Sequence, residues 1–237
     1  MTPPDPVEAE RLQAAQAAAA LVEDGMRLGL GTGRGAAAAV RAIADRMTGE
    51  GLRLEAVPTS QATGDLASSL GIPLIDLPAD GLLDLTIDGA DEIEPESLAL
   101  IKGLGGALLR EKLVAAASRR LVIVAEASKL VGRLGERAPV PVEVVPFGWQ
   151  RTATRLRAFG ADVAPRVAAG SGRLFASDNG NPILDCRFAD LSDPARLDRE
   201  LCLVPGVIAT GLFIGMATQA LVGTRQGLRR IERVADR

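Results

Sequence analysis

The stretch from Asp84 to Lys112, DLTIDGADEIEPESLALIKGLGGALLREK, decides the fold. It opens inside a short apolar run, Leu82 to Ile87, which reads as a strand and stops at Asp88 in the tetrapeptide Asp88-Gly89-Ala90-Asp91. A second apolar run, Leu98 to Ile101, ends at Lys102 and the turn Gly103-Leu104-Gly105-Gly106. A helix then opens and carries Glu111. Two carboxylates, an ammonium, a glycine turn and a helical glutamate follow two strand ends, which is where α/β proteins place their ligands. An acid pair in a turn is ordinary loop chemistry, but this pair closes an apolar strand. Glu111 shares its helix face with Ala107, Leu108, Val114 and Ala115, three and four residues away. That face should turn inward, and a carboxylate among apolar neighbours has its pKa raised toward that of a useful base.

Upstream, Met26 to Leu30 reads as a strand, followed by Gly31-Thr32-Gly33-Arg34-Gly35 and an alanine-rich helix to Met47. Strand, glycine loop and helix form a phosphate-binding arrangement, because the helix N-terminus offers unpaired N–H groups and a partial positive charge. The loop is neither the P-loop pattern nor G-x-G-x-x-G. An alanine-rich helix over residues 8–24 precedes it. Leu52 to Val57 is a strand, Gln61 to Leu70 a helix that Thr59 or Ser60 could cap, and Ile72 to Leu77 a strand again. This alternation predicts a parallel sheet.

Downstream, Arg120 to Ala125 is a strand ending in Glu126-Ala127-Ser128-Lys129. The texture then changes. Prolines 139, 141 and 146 interrupt a β-branched run, and a helix is expected over Trp149 to Phe159. A strand near Asp162 to Val167 leads to a hairpin, Arg173 to Ser177 and Ile183 to Phe188 about the turn Asp178-Asn179-Gly180-Asn181, with a helix over residues 193–203. The expected organisation is a Rossmann-like unit of residues 1–131 and 206–237, with residues 132–205 inserted as a small α+β, ferredoxin-like unit. The returning segment reads as a strand from Val207 to Phe213, a helix from Gly215 to Val222 and a last strand from Leu228 to Val234.

Bulk composition narrows the chemistry. The chain has 237 residues, a net charge of −3 and no histidine or tyrosine. An acidic chain argues against a nucleic-acid surface, and the arginines at 229, 230, 233 and 237 stand among acids. Without histidine there is no Ser-His or Cys-His pair and almost no route to a catalytic zinc site. Acid–base work falls to Asp, Glu, Lys or water. The two cysteines, Cys186 and Cys202, have no paired spacing. No apolar run is long enough for a membrane span, and the N-terminus is acidic where a signal peptide is basic. A cytoplasmic protein is expected.

GLGTG at 29–33, PTS at 58–60, DGADE at 88–92, KGLGGALLREK at 102–112, ASK at 127–129, PVEV at 141–144, DNGN at 178–181 and GLF at 211–213 together resemble type A ribose-5-phosphate isomerase over nearly the whole chain. The resemblance implies a homodimer with a Rossmann-like α/β domain and an inserted α+β domain. It implies interconversion of ribose 5-phosphate and ribulose 5-phosphate, in the pentose phosphate pathway, without metal or organic cofactor. By motif, Glu111 would move a proton between C1 and C2 through a cis-enediolate, and Lys102 would stabilise the oxyanion. Asp88 and Asp91 would hold sugar hydroxyls, one of them serving ring opening. Thr32, Gly33, Arg34 and Gly35 would hold the phosphate. Gly89, Ala90, Gly103, Leu104, Gly105 and Lys129 would complete the substrate contacts.

Four positions depart from the family pattern. The loop usually reads GTGST, so Arg34-Gly35 exchanges two hydroxyls for a guanidinium, and Leu104 replaces a common glycine. Thr218 stands where an aspartate is frequent. A related phosphosugar as substrate is one alternative. Another is a non-catalytic sugar-phosphate-sensing domain, but that would carry a helix-turn-helix module, and the segment before the first strand is too short for one. An amino-sugar phosphate deaminase would want histidine.

Overall fold

The computed structural model describes residues 5–170 and 172–233, so Val234 and Arg237 lie outside the described residues. The first unit runs α1 (Pro6–Ala19), β1 (Arg27–Leu30), α2 (Arg34–Glu50), β2 (Glu55–Pro58), α3 (Gln61–Ser69), β3 (Leu85–Asp88), β4 (Glu92–Ile93), β5 (Leu100–Ile101), α4 (Leu108–Ala116) and β6 (Leu121–Glu126). There follow β7 (Val140–Val144), α5 (Trp149–Arg157), β8 (Ala161–Pro165), β9 (Ile183–Phe188) and α6 (Pro194–Cys202). The chain closes with β10 (Val207–Thr210), β11 (Leu212–Phe213), β12 (Gln219–Thr224) and β13 (Gly227–Glu232).

Six strands form the main sheet in the order β13-β12-β6-β3-β1-β2. All neighbours are parallel except the β12–β13 edge. Both faces are covered, as a parallel sheet requires. On one face Leu28, Leu30, Ile87, Val122, Val124 and Leu221 pack with Ala14, Ala18, Val40 and Ile43 of α1 and α2. On the other, Leu121, Ile123, Ala220 and Val222 meet Ile93, Leu100 and Phe213. Each fully buried Leu or Ile contributes about 1.5–3 kcal/mol by leaving water.

A second, wholly antiparallel sheet has the order β10-β7-β9-β8. A third, small sheet joins β11, β5 and β4. The fold is therefore the expected mixed α/β architecture with a separate antiparallel sheet.

Four local expectations change. Residues 72–77 form no strand; Leu74 makes a single parallel bridge to Ala56. The run ending at Ile101, to which the sequence assigns no sheet, pairs antiparallel with β4 and β11. Residues 207–213 split into two strands of two sheets, so Val207–Thr210 pairs with β7 and the chain re-enters the main sheet only at Gln219. The expected helix at 215–222 is replaced by β12, whose first five residues are all buried. The chain also passes close against α1 here, since a side chain on Gly223 would strike the Glu10 backbone at 1.8 Å. The hairpin turn at 178–181 is present, closed by Ser177 N–H to Asn181 O at 2.9 Å, but its first arm makes only isolated bridges.

Candidate active site

From β1 the sheet grows outward in one direction to β2 and in the other to β3, so the loops after β1 and β3 diverge and leave a crevice between them. The two loops are stitched together by Asp88 at the end of β3. Its Oδ1 accepts the N–H of Gly89 at 2.7 Å and of Thr32 at 3.1 Å. The approach is so close that a Cβ on Gly31 would lie 2.1 Å from that oxygen. Only glycine fits there. The Thr32 hydroxyl is surrounded by those of Thr59 and Ser60, both at 2.8 Å, and Thr63 at 3.2 Å. Ser60 also caps α3 by accepting the Thr63 N–H.

Lys102 leaves β5 and runs into the protein with only 2 % of its surface exposed. Its Nζ donates to Gly89 O at 2.6 Å and lies 2.9 Å from Asp88 Oδ2 and 3.3 Å from Glu111 Oε1. The Phe213 ring covers it at 5.4 Å. Glu111 arrives from the first turn of α4, on the buried face with Leu108, Val114 and Ala115, and its Oε2 has no hydrogen-bond partner. Burial pushes the Glu111 carboxyl up to about 8, against the pull of the Lys102 charge. Burial raises Asp88 as well, with Lys102 again opposing. For Lys102 burial acts downward, but the carboxylates of Asp88 and Glu111 outweigh it and hold the ammonium above its ordinary value. One cation thus stays charged between two acids that titrate as a coupled set.

Above this cluster opens a cleft of about 220 Å³. Thr32, Gly33, Arg34, Gly35, Gly89, Ala90, Asp91, Lys102, Gly105 and Lys129, all candidates from the sequence, line it. Asp88 and Glu111 do not line it: they lie beneath its floor, 0 % and 4 % exposed, and communicate with it through Lys102. Gly103 and Leu104 also stand outside the lining. The Gly103 carbonyl is held by Arg166 at 2.8 Å, and the Leu104 N–H donates to Asp91 Oδ2 at 2.9 Å.

The cleft has two further ionic walls, Arg11 and Glu126, which pair at 3.4 Å, Arg11 also reaching Glu8. Arg11 is buried among Ala14, Ala15 and Ala18 of α1. Its signal in the sequence is a lone cation on the apolar stripe of an alanine-rich helix, a position that needs a buried partner. Arg11, Arg34 and Lys129 surround the N-terminus of α2, where the helix adds its own positive end. Among the described residues no group of three or more acidic, cysteine or histidine side chains is placed to hold a metal ion.

Fold and cleft together define an α/β protein with a cleft, lined by cations and a helix N-terminus, above a buried acid–ammonium cluster. The sequence profile of the family described as Ribose 5-phosphate isomerase A (phosphoriboisomerase A) matches residues 55–227. Curated relatives named Ribose-5-phosphate isomerase A include one from Synechococcus sp. (strain JA-3-3Ab), 53 % identical over 92 % of this chain and 94 % of its own. Another, from Thermomicrobium roseum, is 52 % identical over 95 % and 94 %. Among solved structures, ribose 5-phosphate isomerase A of Methanocaldococcus jannaschii superposes with a TM-score of 0.91 at 37 % identity, covering 95 % of this chain and 99 % of that one. A D-ribose-5-phosphate isomerase in complex with phospho-erythronic acid gives 0.93 at 35 % identity over 96 % and 99 %. This chain belongs to the ribose 5-phosphate isomerase A family.

Proposed function

We propose that the chain interconverts ribose 5-phosphate and ribulose 5-phosphate, with Glu111 as the proton carrier. The observation that carries this reading is the contact of one buried ammonium, Lys102, with two buried carboxyls at the floor of a cleft whose other end is a helix N-terminus. An aldose–ketose transfer needs those parts: an anchor for the phosphate, a cation for the developing oxyanion and a base beside it.

The phosphate binds at the start of α2, against Thr32, Gly33, Arg34 and Gly35, with Arg11 and Lys129 at its flanks. Asp91, on the cleft wall, takes the anomeric hydroxyl proton as the C1–O4 bond of the furanose breaks and delivers it to the departing O4. Lys102 hydrogen-bonds the aldehyde oxygen, which brings the adjacent carbons to the carboxylate that Lys102 itself touches. Glu111 takes the proton from C2, and the electron pair moves through a cis-enediolate to the oxygen beside Lys102. The O2 hydroxyl proton passes to O1, and Glu111 then returns its proton to C1 as O2 becomes the ketone. A placed base of this kind contributes roughly 10²–10⁴-fold, and a preformed cation needs no reorganisation as charge develops. Asp88, with both oxygens engaged, holds Lys102 and the Thr32 loop in place.

The test is direct. Incubated with ribose 5-phosphate and EDTA, the protein yields ribulose 5-phosphate, and in D₂O part of the product carries deuterium at C1. No ketose, or ketose without any solvent deuterium, contradicts the reading.

The same reading places the enzyme in the cytoplasm as a homodimer. It also divides the chain into residues 1–131 and 206–237 as the catalytic unit and 132–205 as the insertion, with β10 the strand by which the returning chain remains attached to the inserted sheet.

A further inference from the structure

Glu143, on β7, is fully buried, and no ion pair to it is found among the described residues. Its Oε1 accepts from Ser177 Oγ at 2.8 Å, Asn181 Nδ2 at 2.9 Å and Asn179 Nδ2 at 3.3 Å, while Oε2 has no partner. A buried carboxylate served only by neutral donors is costly, and here all three donors belong to one turn, residues 177–181. That turn reaches out of its own sheet in two directions. The Asp178 carboxylate accepts the N–H of Gln61, the first residue of α3, at 2.7 Å. The Asp178 carbonyl and the Asn179 side chain receive the guanidinium of Arg110 at 3.1 Å and 3.0 Å.

Both targets adjoin the active site. Arg110 is the residue before Glu111 on α4. Gln61 follows Ser60, whose hydroxyl, with that of Thr63, holds Thr32 beneath the phosphate loop. We propose that the turn at residues 177–181, moored to Glu143, is a strap that positions α4 and α3, so that Arg110, Asp178 and Asn179 are positioning residues for the base and for the phosphate loop. The inference rests on Glu111 being the base. It predicts that the two arms separate in degree, since the Asp178 carboxylate holds α3 at 2.7 Å and reaches Arg110 of α4 only at 3.8 Å, where the Asp178 carbonyl and the Asn179 side chain make the closer contacts.

The experiment measures kcat, KM, the pH profile and thermal unfolding for Arg110→Ala, Asn179→Ala, Asp178→Ala and Asp178→Asn, with Glu111→Gln alongside. Misplacing a reacting group from outside the site costs up to about 100-fold. Arg110→Ala should lower kcat by roughly 10–100-fold on that scale, with KM little changed and the rising limb of the pH profile displaced. Asn179→Ala should do the same more weakly and, being exposed, reports even where Arg110→Ala folds poorly. Asp178→Ala should raise KM, and Asp178→Asn, which keeps an acceptor for Gln61 N–H, should restore it. Kinetics and pH profile unchanged in all three alanine variants overturn the strap, as does a loss of thermal stability with normal turnover. If Glu111→Gln keeps full activity, the assignment of the base fails and the strap falls with it. A dead Glu111→Gln beside normal strap variants condemns the strap alone.

Discussion

Glu111 is the residue whose chemistry is set most plainly by its surroundings. Burial raises its pKa to about 8, and a base must be ionised to accept a proton. The sign follows: kcat/KM should rise with pH through a limb near 8, and a pH–rate profile that is flat between 6 and 9 would contradict the assignment. The same raised value means that the fold favours the protonated form. The stability it gives is complete below the ordinary value of 4.5 and is lost as pH climbs through about 8. The inward turn of Glu111 was legible in the sequence, because its i±3 and i±4 neighbours are apolar. The ion pair with Lys102 was not, since nothing in one chain's spacing places the end of β5 against α4. Arg11 escaped notice for a related reason: a single cation in an alanine-rich helix reads as solvated until its partner, Glu126, is seen 115 residues away.

At the scale of elements, α2 builds the proposed anion site. The helix begins at Arg34 after Gly33, whose φ of 105° lies in the region that favours glycine. The positive end of α2 is thereby aimed at the cleft, and Arg34 adds a guanidinium suited to bidentate phosphate contacts. Charge-assisted bonds of this kind are worth about 1.5–3 kcal/mol, so Arg34→Ala should raise KM for ribose 5-phosphate roughly 10–100-fold with kcat little changed. An unchanged KM would remove Arg34 from the phosphate site. The strand–loop–helix succession that builds this end was readable from periodicity and glycine placement. β12 was not. Its continuous buried run, Gln219 to Val222, has no alternation, and a short apolar run of that kind cannot be told from a helix by pattern alone. The pairing of that run with β6 decides the matter.

Across the whole molecule, three sheets converge on one cleft. The main sheet leads into Thr32 and ends at Asp88, the small sheet leads into Lys102, and the turn at residues 177–181, just before β9 of the four-stranded sheet, hydrogen-bonds α3 and α4. The change of texture after Gly132 announced the second sheet, but β10 and β11 belong to different sheets although they adjoin in sequence. No helix among the described residues is long and apolar enough to cross a membrane. The proposed homodimer should sediment at twice the 24.6 kDa of one chain, and a species of single-chain mass at working concentrations would refute it. The most direct test of the central claim is turnover of ribose 5-phosphate by Glu111→Gln, compared with the unaltered protein at equal folded concentration. The account predicts a fall of at least roughly 10²-fold in kcat with the fold intact; turnover at the level of the unaltered protein would contradict it.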